Sequence, residues 1–176
     1  MQYLKGLQFS SQHSRSREPS FFVIHAIHEF LKNEQGEYLH YTQFIENLGL
    51  SFHYAILPDG SIFQHLTLDK VGYHAKNYNT ASVGIELVIP GPSNSYEAFL
   101  RKMTDKGAMS YPIRQYSALA DLITNHIKQD LVIDVNTGKP AITYHSDLGN
   151  ELKKDPGVNF DRVLLNKLLL NRMEDE

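Results

Sequence analysis

Residues 21–28 read FFVIHAIH, and the run that opens this stretch decides the fold class. Residues 21–24 are apolar and partly β-branched, a pattern typical of a buried strand, and His25 stands at the predicted end of that strand. A second run of this kind, residues 82–89 (SVGIELVI), stops at the Pro-Gly-Pro of residues 90–92. Two buried strands this far apart in the chain predict a sheet at the centre of the domain.

Strand and helix patterns alternate around these two runs. Residues 51–57 and 61–66 flank a Pro-Asp-Gly turn, which predicts a hairpin because proline presets φ and glycine accepts a positive φ. Apolar residues at helical spacing predict helices over residues 38–48, 113–127 and 160–172. The other expected segments are an extended surface arm over residues 1–20, a loop over 91–111, a turn near 136–138 and a strand over 141–144. The expected fold is a single α/β domain, residues 1–176, with a central mixed β-sheet flanked by helices.

Composition narrows the classes of function. A chain of 176 residues is the size of one domain, and a net charge of -3 argues against a nucleic-acid binder, which needs a basic stripe. The chain has no cysteine, which excludes disulfides and thiolate metal sites, and no run reaches the roughly 18 apolar residues of a membrane span. Residues 1–20 lack the apolar core of a secretory signal, so a cytoplasmic location is the default expectation, with periplasmic or exported action if a signal was removed. The oligomeric state is left open.

Nine histidines in a chain without cysteine draw attention to imidazole chemistry. His25 and His145 each directly follow an apolar strand pattern, and Asp155 lies further on in HSDLGNELKKDPG, where the proline after it restricts its backbone. Two histidines and a carboxylate suit zinc and leave one position open for water. The alternative is that both histidines are satisfied within the core and that Asp155 is a turn residue.

Four segments together resemble a known family. FFVIHA, SFHYAILPDGSI, GYHAKNYNTASVGIEL and YHSDLGNELKKDPGVNF occur in the order seen in the zinc-dependent N-acetylmuramoyl-L-alanine amidases. That family includes AmpD-type muropeptide amidases, bacteriophage lysozyme-type amidases and peptidoglycan recognition proteins, and the resemblance runs over residues 8–165. It implies the fold of that family and hydrolysis of the amide bond between the muramoyl lactyl group and L-alanine in peptidoglycan or muropeptides.

The resemblance also implies roles for particular residues. It makes His25, His145 and Asp155 the ligands of one zinc ion per chain, and an aspartate as third ligand favours the AmpD-like branch. Glu86 aligns with the glutamate that acts as general base, and Lys153 aligns with the lysine that stabilises the developing oxyanion.

Without the resemblance, Glu86 would be interpreted as a solvent-facing residue on a half-buried strand, and Lys153 as a solvated loop charge like Lys154. However, the neighbours of Glu86 are apolar on both faces of the strand, so a carboxylate there needs a partner or a purpose.

The segment GYHAKNYN resembles the stretch that lines the substrate cleft in the family. It makes His74, Asn79 and Tyr73 the predicted substrate-binding residues, although Tyr73 stands where AmpD-like members usually have tryptophan. The remaining histidines are interpreted as structural, packing or surface residues: His13, His28, His40, His53, His65 and His126.

Two other functions compete with this one. Non-catalytic peptidoglycan-binding modules share the fold but typically lack a zinc ligand, whereas the complete set is present here. Another zinc amide hydrolase is the second alternative, but the chain has no HExxH helix, the commonest peptidase arrangement. Residues 91–111 are the expected determinant of substrate access, since loops on a rigid scaffold usually set specificity.

Overall fold

The computed structural model describes residues 3–127, 133–134 and 139–174. Its strands, in chain order, are β1 (Leu4–Lys5), β2 (Gln12–Ser14), β3 (Phe21–Lys32), β4 (Tyr38–His40), β5 (Tyr54–Ile56), β6 (Ile62–Gln64), β7 (Lys70–Gly72), β8 (Ser82–Ser93), β9 (Ile133–Asp134), β10 (Lys139–Pro140) and β11 (Ile142–Tyr144). Its α-helices are α1 (Tyr41–Asn47), α2 (Tyr96–Thr104), α3 (Ile113–Ile127) and α4 (Arg162–Glu174), and short 3₁₀ helices span Lys76–Ala81 and His145–Asp147. None of the helices in these ranges is long and apolar enough to cross a membrane.

A mixed sheet forms the centre of the molecule. Its strand order is β1-β6-β5-β8-β3-β11, and β4 pairs with the far end of β3. Strands β5, β8, β3 and β11 run parallel, whereas β6 and β4 are antiparallel to their neighbours β5 and β3. This arrangement, with helices packed on the sheet, confirms the predicted fold class.

The two longest strands extend further than predicted. Strand β3 does not end at His25, which lies in its middle, because β3 continues beyond β11 and pairs there with β4. Strand β8 continues past Pro90 as far as Ser93, opposite a register shift between His28 and Phe30 of β3. A proline is tolerated at such an irregularity, where the ladder of hydrogen bonds is already interrupted.

The predicted loop over residues 91–111 is wrong, because this segment contains helix α2. The Ser95 side chain caps it by accepting a hydrogen bond from the Ala98 amide at 3.1 Å. Met103 is fully buried, and Phe99, one helical turn before it, packs against the same core. Glycines and prolines on either side of the helix concealed these two anchors in the sequence.

The other predicted elements are mostly confirmed. The hairpin forms between β5 and β6, α3 follows Pro112, β11 ends next to His145, and α4 begins two residues later than expected. The predicted helix over residues 38–48 is wrong at its start, since β4 precedes α1. The turn near residues 136–138 lies outside the described residues.

Each face of the sheet is covered by its own hydrophobic cluster. Helices α2, α3 and α4 cover one face, with Phe22 and Ile24 of β3 pointing toward them. Helix α1 and Phe9 cover part of the other face, together with Ile27 of β3. The arm over residues 1–20 is therefore extended but not confined to the surface, because Phe9 is fully buried. The second face also carries His25, and there the covering stops and a cleft opens.

Candidate metal centre and active site

The register of the parallel strands brings the predicted site residues together. Tyr144 of β11 pairs with Ile24 of β3, so the residues that come next, His145 and His25, lie side by side. Asp155 reaches the same point from the following loop, whose backbone is tied back by the hydrogen bond from the Ser146 amide to the Asp155 carbonyl at 3.0 Å. Three residues distant in sequence thus meet at the end of a short parallel strand.

Three side-chain atoms of this cluster form a tight triangle. The Nδ1 atoms of His25 and His145 are 2.9 Å apart, and Asp155 Oδ2 lies 3.0 Å from His145 Nδ1 and 3.3 Å from His25 Nδ1. Ligand atoms held at about 2.1 Å by a tetrahedral zinc lie about 3.4 Å from one another. The triangle therefore fits three corners of such a site, and these residues form a group that could hold a metal ion.

The protonation states of the cluster also suit a cation. Burial lowers the pKa of His25 despite the nearby Asp155 carboxylate, so its ring is neutral at pH 7. Burial of Asp155 opposes its ionisation, but hydrogen bonds and charge interactions with His145 and His25 together outweigh this effect and hold the pKa of Asp155 well below its usual range. A neutral imidazole and an ionised carboxylate are the forms that bind metal.

Glu86 lies next to His25 on the neighbouring strand, since the two are register partners in β8 and β3. Its side chain is buried, and its Oε2 atom has no hydrogen-bond partner within the described part of the chain. Burial raises the pKa of Glu86 well above its ordinary value, the Asp155 carboxylate adds to this effect, and Lys153 opposes it. Glu86 is thus a carboxyl group with an unused oxygen and a high affinity for a proton, held beside the cluster.

Lys153 completes the polar wall of the cleft. It is half-buried and lines the cleft together with Asp155, whereas Lys154 between them is exposed. Lys153 and Asp155 thus project to the same side of the chain, as alternate residues of an extended segment do.

The GYHAKNYN segment contributes one wall of the cleft through Tyr73 and His74. The Tyr73 hydroxyl is 2.9 Å from Nδ1 of His13, which the sequence did not single out and whose strand β2 pairs with β7. His74 Nδ1 is 3.0 Å from His25 Nε2, and the Asn79 side chain accepts hydrogen bonds from backbone amides rather than facing the cleft. The substrate-binding roles predicted for these residues stay predictions.

The remaining histidines occupy packing positions or the surface. His53 accepts a hydrogen bond from the Gly84 amide at 3.1 Å and is fully buried, consistent with a structural role. Burial lowers the pKa of His53 to about 3 and that of His126 to about 4. The other two buried histidines are His28 and His65, while His13 is exposed and His40 partly so.

The cleft has a volume of about 130 Å³ at the cluster, and a larger groove of about 320 Å³ adjoins it. Tyr96, Phe99 and Lys153 line both spaces, and the groove is otherwise walled mainly by apolar side chains such as Leu31 and Phe44. The space at the cluster accommodates a reacting bond and its immediate substituents, so a larger substrate would extend into the groove. Two of the shared wall residues belong to α2, which supports the expectation that residues 91–111 affect access.

Comparisons with known proteins agree with this fold. The sequence model of the N-acetylmuramoyl-L-alanine amidase family matches residues 15–158. Among solved structures, a selenomethionine derivative of AmpD is 24% identical with a TM-score of 0.67, and the similarity covers 95% of this chain and 94% of that one. The amidase LysC from Clostridium intestinale is 17% identical with a TM-score of 0.62, covering 97% of this chain and 98% of that chain. Wild-type PGRP-LB from Drosophila is 16% identical with a TM-score of 0.62, covering 95% and 92% respectively.

No curated protein sequence is significantly similar to the chain. The family match extends over most of the 176 residues and includes every member of the cluster, together with Glu86 and Lys153. The chain therefore belongs to the N-acetylmuramoyl-L-alanine amidase family.

Proposed function

We propose that the chain is a zinc-dependent amidase that hydrolyses the bond between the lactyl carbonyl of N-acetylmuramic acid and L-alanine. The observation that carries this proposal is the triangle of His25 Nδ1, His145 Nδ1 and Asp155 Oδ2, with Glu86 beside it in one cleft. A chain of this family with a complete set of three ligand atoms fits an enzyme better than a binding module.

One zinc ion per chain would be held by His25, His145 and Asp155. Bound there, zinc supplies Lewis acidity, which polarises the substrate carbonyl and makes water more acidic.

Glu86 acts as the general base in this proposal. Its unpartnered Oε2 accepts a proton from the attacking water and then donates that proton to the nitrogen of L-alanine as the amide bond breaks. Burial raises the proton affinity of Glu86, which suits holding the proton until the leaving amine takes it, and a zinc ion in the neighbouring site would favour the ionised form that accepts the proton first.

Lys153 provides electrostatic stabilisation of the oxyanion in this proposal. Lys153 lines the cleft together with Asp155, and its ammonium group would stabilise the negative charge that develops on the carbonyl oxygen during attack. No covalent intermediate is required, which is compatible with a chain that has no cysteine.

The substrate class is peptidoglycan or its soluble fragments. Tyr73 and the apolar groove flanking Lys153 offer surfaces on which a sugar ring or the stem peptide can pack. Comparison of intact sacculi with defined muropeptides as substrates identifies which of them is cleaved faster.

Product analysis by mass spectrometry tests the proposal. Release of an intact stem peptide with a free L-alanine amine is the expected result, and His145→Ala, freed of any residual zinc by a chelator, serves as the inactive control. Cuts within the stem peptide would instead identify a peptidase. Binding of muropeptide without any product in the zinc-loaded protein would identify a non-catalytic peptidoglycan-binding module.

A further inference from the structure

His25 uses both of its ring nitrogens. Its Nδ1 atom belongs to the candidate metal cluster, and its Nε2 atom lies 3.0 Å from Nδ1 of His74. An imidazole can offer a lone pair to a metal through Nδ1 only while its proton is on Nε2. The partner of Nε2 must then be a hydrogen-bond acceptor, and His74 Nδ1 is in the position to be that acceptor.

The location of the His74 ring is fixed by the fold. A Cβ atom at Gly84 would lie 2.6 Å from Cγ of His74, so the ring occupies the space that a side chain at position 84 would take. The Asn79 side chain accepts hydrogen bonds from the amides of His74 at 3.1 Å and Ala75 at 2.6 Å. Gly84 of β8 leaves the space for this ring, and Asn79 of the 3₁₀ helix fixes the backbone that carries it beside His25.

His74 has little left to offer a substrate. Its Nδ1 atom faces His25, and its Nε2 atom is buried without a hydrogen-bond partner in the described part of the chain. Asn79 is engaged with two backbone amides through the same oxygen. These contacts favour a different role for the two residues from the substrate binding that the family resemblance implies.

We propose that His74 is a positioning residue that accepts the Nε2 proton of His25 and so holds the His25 Nδ1 lone pair toward the metal site. Asn79 and Gly84 support this role by placing the His74 ring. The proposal rests on the zinc site of the proposed function, but it concerns the affinity and geometry of that site rather than the substrate. Outer partners of this kind typically contribute about 10- to 100-fold in metal affinity.

Two substitutions of similar size distinguish the effect of losing the hydrogen bond from the effect of losing the packing of the ring. In His74→Asn, the amide oxygen can occupy the place of Nδ1 and accept the same proton, whereas His74→Leu has a similar volume and no acceptor. Competition with a chelator should show zinc binding about 10- to 100-fold weaker in His74→Leu and close to wild type in His74→Asn. Chemical unfolding of the zinc-free proteins verifies that both variants fold.

A spectroscopic readout isolates the mechanism. In the zinc-loaded wild type and in His74→Asn, the His25 Nε2 proton should give a downfield, slowly exchanging NMR signal, and His74→Leu should lose that signal. Gly84→Ala tests the same role without changing His74 itself. The added methyl group collides with the His74 ring, so zinc binding should be weaker than in the wild type.

Wild-type zinc affinity in His74→Leu would overturn the proposal. So would an increase in KM with unchanged zinc affinity in both His74 variants, which would restore the substrate-binding role. A wild-type chain that binds no zinc would overturn this inference and the proposed metal dependence together. A wild-type chain that binds zinc but releases no stem peptide would contradict only the proposed activity, and the affinity comparison would still decide the role of His74.

Discussion

Replacement of Glu86 by glutamine probes the proposed chemistry with the smallest change of shape. Glutamine keeps the volume and one oxygen of the side chain but cannot take up a proton at neutral pH. Among the described residues that line the cleft, the other carboxylate is Asp155, whose Oδ2 atom is already part of the metal cluster. Among the described residues of the cleft, no second carboxylate is therefore free to substitute for the missing base.

The expected loss of hydrolysis rate follows from the lack of a second free carboxylate among the described residues of the cleft. A general base contributes about 10²- to 10⁴-fold in rate, which corresponds to about 3–5 kcal/mol of barrier. Because no second carboxylate is free, we expect the upper half of this range for Glu86→Gln. Zinc binding should remain close to wild type, since the three ligand atoms come from His25, His145 and Asp155.

Although Glu86→Gln should lose activity, the same substitution should not reduce the stability of the zinc-free protein. Burial raises the pKa of Glu86 well above its ordinary value of 4.5, so the folded state binds the proton more tightly than the unfolded state does. Such a group destabilises the fold increasingly as the pH rises above 4.5. Glu86→Gln should therefore be at least as stable as wild type at pH 7 in the presence of a chelator, with an advantage that shrinks on acidification.

Initial rates of hydrolysis of a defined muropeptide, followed by chromatography, measure the loss of activity. Elemental analysis measures the amount of zinc per chain. Urea unfolding at pH 4 and pH 7 in the presence of a chelator measures the difference in stability between the variant and the wild type. A zinc-loaded Glu86→Gln protein that hydrolyses substrate within a few-fold of the wild-type rate would refute the assignment of Glu86 as base. A variant that loses its zinc would show that Glu86 acts through the metal site instead.

Three further changes are expected to separate the parts of the site. His145→Ala should lose both zinc and activity in chelator competition and rate assays, and wild-type zinc affinity would contradict the ligand set. Lys153→Ala should retain zinc but lose about 10²-fold or more in kcat, whereas Lys154→Ala, which removes an exposed charge, should match wild type; equal rates for the two would contradict the role of Lys153. The pKa of His126 is lowered to about 4 by burial, so stability is lost as the pH falls from 6.5 toward 4. Urea midpoints of His126→Phe should fall less over this interval than those of wild type, and equal losses would contradict that assignment.

The cluster was predictable because its residues carry distinct chemical patterns. His25 and His145 stand out against apolar strands, and Asp155 precedes a proline in a polar loop. Their convergence depends on β3 and β11 being parallel neighbours, which alternating strand and helix patterns favour without fixing the register. The proximity of Glu86 to His25 similarly follows from the pairing of β8 with β3, a long-range fact that local patterns do not contain.

The missed features are those in which tertiary contacts override local composition. Helix α2 depends on Phe99 and Met103 meeting a core formed by distant elements, so its glycine- and proline-rich surroundings suggested a loop. The continuation of β8 past Pro90 depends on an irregularity in β3. The contact of His13 with Tyr73 requires β2 to pair with β7, for which the polar sequence of the arm gives no signal.

The N-terminal arm affects where this domain can be cut. The family match begins at residue 15, yet Phe9 is fully buried, with its ring centroid 5.0 Å from those of Phe52 and His65. The Leu7 carbonyl lies 2.8 Å from Nδ1 of His65, and β1 extends the sheet beyond β6. A protein trimmed to the family boundary would lose the packing of a large aromatic side chain, a loss comparable to a buried Phe→Ala change of about 3–5 kcal/mol. The part of the chain that matches the family is therefore shorter than the part that packs into the folded domain.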